Sequence, residues 1–153
     1  MNFRIGPLTD ADARELAAWQ YEPPYDFYDF DADPDDLAAL FDPARRERHR
    51  SVRDEDGSLV GFFYFGVAAG TVEVGLGLRP DLTGRGLGAS FVEAQLAYAR
   101  DVWAPKRFRL YVAAFNERAR QVYERAGFRE VGRQLRTFER FGEVEFLELE
   151  RPA

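Results

Sequence analysis

Three alternating glycines, Gly84, Gly86 and Gly88, lie in the run Arg79-Pro80-Asp81-Leu82-Thr83-Gly84-Arg85-Gly86-Leu87-Gly88-Ala89 and are the first residues with a chemical reading. Such spacing lets a backbone turn successive N–H groups toward one point, and a helix starting there adds roughly half a positive charge. The loop suits a pyrophosphate, and Arg85 could add a charge-assisted contact. No Lys-Ser/Thr pair follows the last glycine, which excludes a Walker loop. The spacing Gly84-x-Gly86-x-x-Ala89 also satisfies the dinucleotide fingerprint. That reading wants an acid at the end of the next strand, which here runs Tyr111-Val112-Ala113-Ala114. A plain glycine-rich turn is the simpler alternative.

The segment feeding this loop alternates Val72, Val74, Leu76 and Leu78 with Glu73, Gly75 and Gly77. A strand would carry one carboxylate beside two missing side chains on one face, leaving room for a ligand along the backbone. The alternative is a surface Glu beside glycines that mark a bulge. Downstream, Asn116, Ala119 and Tyr123 share one helix face, with Gly127-Phe128 closing the run. A small Ala between an amide and a phenol admits a slender group; an N-cap and a core tyrosine are the plainer roles.

Composition removes much other chemistry. The 153 residues contain no Cys and a single His, His49, which excludes thiol nucleophiles, disulfides, Cys zinc sites and His-rich metal sites. No metal is expected. A net charge of −6 argues against nucleic acid or an anionic membrane as partner. With no apolar run approaching a membrane span and no signal-peptide core, a cytoplasmic protein is the expectation.

The elements that must position these residues are legible at their ends. Residues 3–5 read as a strand, and Thr9 with Asp12 as the start of a helix to about 19. The aromatic, acidic stretch 20–32 reads as irregular loop. Asp33-Pro34 opens a helix to about 41. Strands are expected over 48–54, 58–67, 72–79, 108–113, 128–138 and 143–150, with helices after the glycine loop and from Asn116 to Gly127. The order β-α-α-β-β-β-α-β-α-β-β predicts a single α/β domain over 1–153. Its mixed sheet would have six to seven strands and about four helices, with a right-handed parallel crossover over 72–113.

Taken together, strand, x-x-Gly-x-Gly loop, helix, strand and Asn116-x-x-Ala119-x-x-x-Tyr123-x-x-x-Gly127-Phe128 resemble the GNAT superfamily of N-acetyltransferases, which use acetyl-CoA. The resemblance implies that the backbone of Leu76, Gly77 and Leu78 pairs with the pantetheine arm like an added strand. It places the pyrophosphate on the amides of Gly84, Arg85, Gly86, Leu87, Gly88 and Ala89. Asn116 would bond the pantetheine region, Ala119 would let it approach, and Tyr123 would be the general acid beside the sulfur. Thr83 stands where the family usually has Arg or Gln; one hydroxyl donor there implies weaker cofactor affinity. The ribosomal-protein alanine N-acetyltransferases place a Glu base five residues before the Asn, where this chain has Tyr111. Glu73, matching a glutamate common on the same strand in other members, is the substitute base, acting through a water.

Direct transfer from a thioester to an amine needs no protein nucleophile and no metal, so the missing Cys and scarce His are compatible with it. The segment 22–36 holds Glu22, Asp26, Asp29, Asp31, Asp33, Asp35 and Asp36 with no cation, interleaved with Tyr25, Phe27, Tyr28 and Phe30. In the family such segments often line the acceptor cleft, and an acidic, aromatic wall would suit a small cationic amine or a peptide N-terminus. Tyr25, Asp26 and Tyr28 are the expected acceptor contacts. A solvated acidic loop is the bland alternative, and both monomer and homodimer are compatible with the sequence. Two other function classes use the same residues: a catalytically silent acyl-CoA-binding sensor, and a dinucleotide-dependent oxidoreductase.

Overall fold

Side-chain caps start most of the helices. In the computed structural model, which describes residues 1–153, Thr9 caps α1 (Asp10–Ala18). Its hydroxyl accepts the Asp12 N–H while the Asp12 carboxylate accepts the Thr9 N–H, both at 3.1 Å. Asp33 caps α2 (Pro34–Phe41), and Asp42 does the same for the single turn α3 (Pro43–Arg46), each with Pro at the first position. Asn116 Oδ1 accepts the Ala119 N–H at 3.1 Å to start α5 (Glu117–Arg125). The exception is α4 (Gly88–Trp103), whose first turn no side chain caps. α3 exceeds the expected helix count, because one turn is too short to leave a periodic pattern.

Seven strands, β1 (Arg4–Pro7), β2 (His49–Arg53), β3 (Leu59–Ala68), β4 (Thr71–Leu78), β5 (Arg107–Ala113), β6 (Arg129–Phe138) and β7 (Gly142–Pro152), form one sheet in the order β1-β2-β3-β4-β5-β7-β6. Every pairing is antiparallel except β4 with β5, which α4 connects. That parallel ladder holds only Thr71↔Arg107, Val72↔Phe108 and Glu73↔Arg109, although β4 continues to Leu78. Paired strands lie about 4.8 Å apart; beyond Glu73 the two diverge and a gap opens.

On one face of the sheet Val72, Val74, Leu110 and Val112 pack with Phe91 and Leu96 of α4 and with Phe128, all buried. The segment 20–46 covers part of the opposite face. Its first part, expected to be irregular, contains two short 3-10 turns, Tyr25–Tyr28 and Phe30–Ala32. Non-local anchors explain the order: Asp29 Oδ1 accepts the Tyr21 N–H at 2.9 Å, and Phe27 sits edge-on to Phe115, Phe138 and Phe141. No helix is long and apolar enough to cross a membrane.

Candidate active site

The gap between β4 and β5 exposes strand backbone. Arg79 N–H donates to Val60 O on β3 at 2.8 Å. By alternation Gly77 and Gly75 face β3, whereas Leu76 and Leu78 turn toward the gap. There the Leu78 carbonyl accepts the Tyr21 hydroxyl at 2.5 Å. Gln95, wholly buried on α4, donates Nε2 to the carbonyls of Gly75 (2.6 Å) and Tyr64 (3.3 Å). The Gly75 carbonyl and the Leu76 N–H belong to one planar trans peptide and point to opposite edges. Holding the carbonyl therefore aims the Leu76 N–H into the gap.

The glycines of β4 are not empty space for a ligand, as their alternation had led us to expect. Cross-strand pairs Tyr64↔Gly75 and Phe62↔Gly77 bring two aromatic rings over them. A Cβ at Gly75 would touch Tyr64 at 3.5 Å, and one at Gly77 would overlap the Phe62 ring. The missing side chains admit those rings, which then form the cavity wall. No register shift marks a bulge in the β3–β4 ladder.

The glycine loop does form a cradle. Gly84 and Gly86 have φ of 73° and 77°. From Gly84 to Ser90 no backbone N–H donates to a protein acceptor, so the uncapped start of α4 aims its amides outward. Gly88 has a different purpose: a Cβ would meet Val122 at 3.1 Å, so it permits α4 and α5 to approach. Thr83 Oγ1 donates to Pro80 O at 2.8 Å, which engages the one proton expected to reach a cofactor. Arg118, unsuspected from spacing, lies over the Tyr25 ring at 4.3 Å, its Nη1 3.5 Å from where a Gly84 Cβ would sit. A phosphate in this cradle would find Arg118 beside it.

Asn116, Tyr28 and Tyr123 converge at the α5 end of the gap. Asn116 Nδ2 donates to Tyr28 Oη at 3.2 Å. The Tyr123 hydroxyl has no hydrogen-bond partner. Burial, with Tyr28 adding to it, pushes Tyr123 above the usual phenol range. The phenol is therefore neutral and a weaker acid than in water.

Glu73 is half-buried at the last β4–β5 pair and makes no hydrogen bond or ion pair. Burial raises its carboxyl above the ordinary range, while Arg136, Arg109 and Arg48 pull the other way. Tyr111, standing where the ribosomal-protein acetyltransferases have a base, hydrogen-bonds Glu148 at 3.3 Å. Glu148 in turn pairs with Arg109 at 3.1 Å.

One cavity of about 840 Å³ joins these features. It brings together Leu76, Gly77, Leu78, Thr83, Gly84, Gly86, Leu87 and Gly88 with Asn116, Ala119, Tyr123, Tyr25 and Tyr28. Glu73, Arg85, Ala89 and Asp26 lie outside its lining; Asp26 instead pairs with Arg140 at 3.4 Å. The acidic wall also differs from expectation. Of the seven acids in 22–36 only Asp33 and Asp36 reach the cavity, and Arg45, Arg48 and Arg136 line it with them. Arg45 and Arg48 belong to the basic run Arg45-Arg46-Glu47-Arg48, to which the sequence reading gave no role, and Arg136 joins them from β6. His49, for which the sequence offered no role, lines the cavity as well, its ring 5.5 Å from Tyr64 and 6.0 Å from Phe62. Burial, with Arg48 and Arg50 beside it, pushes its pKa down to about 4, so the imidazole is neutral.

Comparison with known proteins places the chain in a family. A mycothiol acetyltransferase from Propionibacterium freudenreichii subsp. shermanii is 42% identical over 82 residues, 50% of this chain and 26% of that protein. The chain thus spans less than a third of that relative's length. Among solved structures, a GNAT-family acetyltransferase from Bacillus anthracis superposes with a TM-score of 0.77 at 15% identity, covering 99% of this chain and 95% of that one. The spermidine N-acetyltransferase from Vibrio cholerae in complex with CoA and spermine gives 0.72 at 20% identity, covering 98% and 95%. At such identities the likeness is one of fold. Residues 2–129, which include the diverging strands, the glycine loop and α5, match the acetyltransferase (GNAT) domain, and the chain belongs to that family.

Proposed function

We propose that this chain transfers the acetyl group of acetyl-CoA directly to the primary amine of a small molecule or a peptide N-terminus. The observation that carries the reading is the gap beside β4, which opens onto a loop of unpartnered N–H groups within one cavity. The residues present fit acetyl-CoA: an unpaired strand edge for an amide-bearing arm, Gly84 to Ala89 with Arg118 for the diphosphate, and an apolar channel between. Bound there, acetyl-CoA supplies a thioester carbon open to attack by an amine.

The chain's own residues then have three tasks. The Leu76 N–H, aimed by Gln95, donates to the acetyl oxygen as negative charge grows on it. Glu73 takes the amine proton through a water; its raised pKa makes it a better base than an ordinary carboxylate. Removing a proton from a lysine-like amine at pH 7 costs about 4.6 kcal/mol, against about 1–1.4 for an α-amine. A base matters most for the former. Tyr123 donates its hydroxyl proton toward the departing sulfur and recovers it from solvent. The nitrogen–carbon bond forms and the carbon–sulfur bond breaks; an acceptor arriving as an ammonium loses two protons, one through the water to Glu73 and one to solvent, while Tyr123 supplies the thiolate's proton and is reprotonated from solvent.

The test is CoA release from acetyl-CoA with a mixed panel of amines. Turnover with at least one amine supports the reading. Tight acetyl-CoA binding with no release for any amine would make the chain a sensor instead. Tight NAD(P) binding with no response to CoA would make it an oxidoreductase.

A further inference from the structure

We infer that the acceptor carries a carboxylate as well as its amine, and that Arg48 and Arg136 hold that carboxylate; this rests on the acetyl-transfer reading above. On the cavity wall away from the glycine loop, three guanidiniums, Arg45, Arg48 and Arg136, face two carboxylates, Asp33 and Asp36. The partners are unevenly distributed. Arg45 pairs with Asp35 at 3.2 Å, and Asp33 is engaged in accepting the Asp35 N–H at 2.9 Å. Arg48 and Arg136 form no ion pair, even with neighbouring Glu73, on whose carboxyl both act.

The setting of Arg136 adds to the argument. Its guanidinium lies over the rings of Tyr111 and Phe146 at 5.2 and 4.9 Å. Stacking on two aromatic rings fixes the plane of the guanidinium, and the Gln134 amide oxygen accepts from its Nη2 and Nε at 2.6 and 3.0 Å, which leaves Nη1 for a carboxylate oxygen. Two guanidiniums without a partner carboxylate suit a single carboxylate of a ligand. Phe30, Phe62 and Tyr64, around neutral His49, add an apolar wall, so an apolar side chain suits the rest of the acceptor. The class is an amino acid or similar amino-carboxylate with an apolar side chain.

The experiment pairs L-leucine, L-methionine and L-phenylalanine with their decarboxylated amines, 3-methylbutylamine, 3-(methylthio)propylamine and phenethylamine. CoA release and calorimetric binding in the presence of CoA are read for each pair. We expect a kcat/KM preference for the acid of about 10- to 100-fold, the worth of one hydrogen bond to a charged group. In Arg48→Met and Arg136→Met that preference collapses through KM, with kcat for the acid held within a few-fold. Arg136→Lys recovers part of it. Acetylation of the plain amines as well as the acids overturns the carboxylate subsite and leaves acetyl transfer standing. Arginine-dependent binding of the acids without turnover keeps the subsite and overturns acetyl transfer. Neither binding nor turnover for any pair overturns both.

Discussion

Gln95→Leu separates what a buried side chain does for the fold from what it does for the reaction. Gln95 is fully buried; its Nε2 serves two carbonyls, while its Oε1 is buried without a partner. Two neutral hydrogen bonds contribute about 1 kcal/mol each, and an unsatisfied buried acceptor costs about 1–3 kcal/mol. The two effects nearly cancel. An apolar side chain of similar size should therefore change unfolding stability by less than about 1 kcal/mol. The reaction has no such cancellation. Removing an oriented backbone donor costs about 10²–10³ in kcat. Leucine leaves the Leu76 N–H present but no longer holds its peptide plane, so the expected fall is about tenfold, near 1.4 kcal/mol of barrier. Steady-state CoA release, the KM for acetyl-CoA and urea unfolding measured on the same preparation decide the matter. A folded Gln95→Leu protein with wild-type kcat would refute the aiming of Leu76 by Gln95. A loss of stability matching the loss of rate would reduce Gln95 to a packing residue.

Other outcomes follow from the same geometry. Tyr123→Phe should lower kcat at least tenfold with acetyl-CoA affinity nearly unchanged, since the hydroxyl has no structural partner to lose; an unaffected rate removes it as the proton donor. Gly86→Val places a β-branched residue at φ 77°, a backbone region that costs side-chain residues about 1–2 kcal/mol. It should abolish measurable acetyl-CoA binding by calorimetry, and retained affinity would displace the diphosphate from this loop. Gly61→Ala should destabilise by about 1–3 kcal/mol in urea unfolding, because the new Cβ meets both Gly77 O and the Phe91 ring at 2.5 Å. His49 titrates near 4 in the folded chain against about 6.5 when unfolded, so the stability tied to its neutral form is present above pH 6.5 and lost as pH falls toward 4. That loss is at most about 3.4 kcal/mol. In His49→Phe, acid unfolding profiles should be flatter across this window.

What the sequence disclosed was what depends on near neighbours. Thr9, Asp33 and Asn116 cap helices within three residues of themselves, and Gly84 and Gly86 set their own backbone, so all five could be read in place. The missed features depend on partners far along the chain. The glycines of β4 face rings on β3 that only the strand register brings over them. Arg48 enters the cavity from the turn before β2, Arg136 from β6 and Arg118 from α5, with no shared pattern. His49, 13 residues beyond the acidic segment and 23 before the motif strand, acquires its neutral, aromatic setting through its cross-strand pair with Tyr64. Acidic composition in 22–36 did not translate into an acidic wall, since composition does not say which side chains turn inward.

The short parallel ladder between β4 and β5 also bears on how the molecule comes apart. The seven strands form two sub-sheets, β1-β2-β3-β4 and β5-β7-β6, sewn together by three residue pairs at one end. A ligand in the gap takes the place of the missing stitches, contributing backbone contacts to β4 that the protein withholds from itself. Mechanical compliance therefore concentrates along this seam, and amide exchange in Leu76 and Leu78 should be the readout of its closure. Ligand at a hundred times its dissociation constant adds about 2.7 kcal/mol to the folded state. Here that increment goes to the seam.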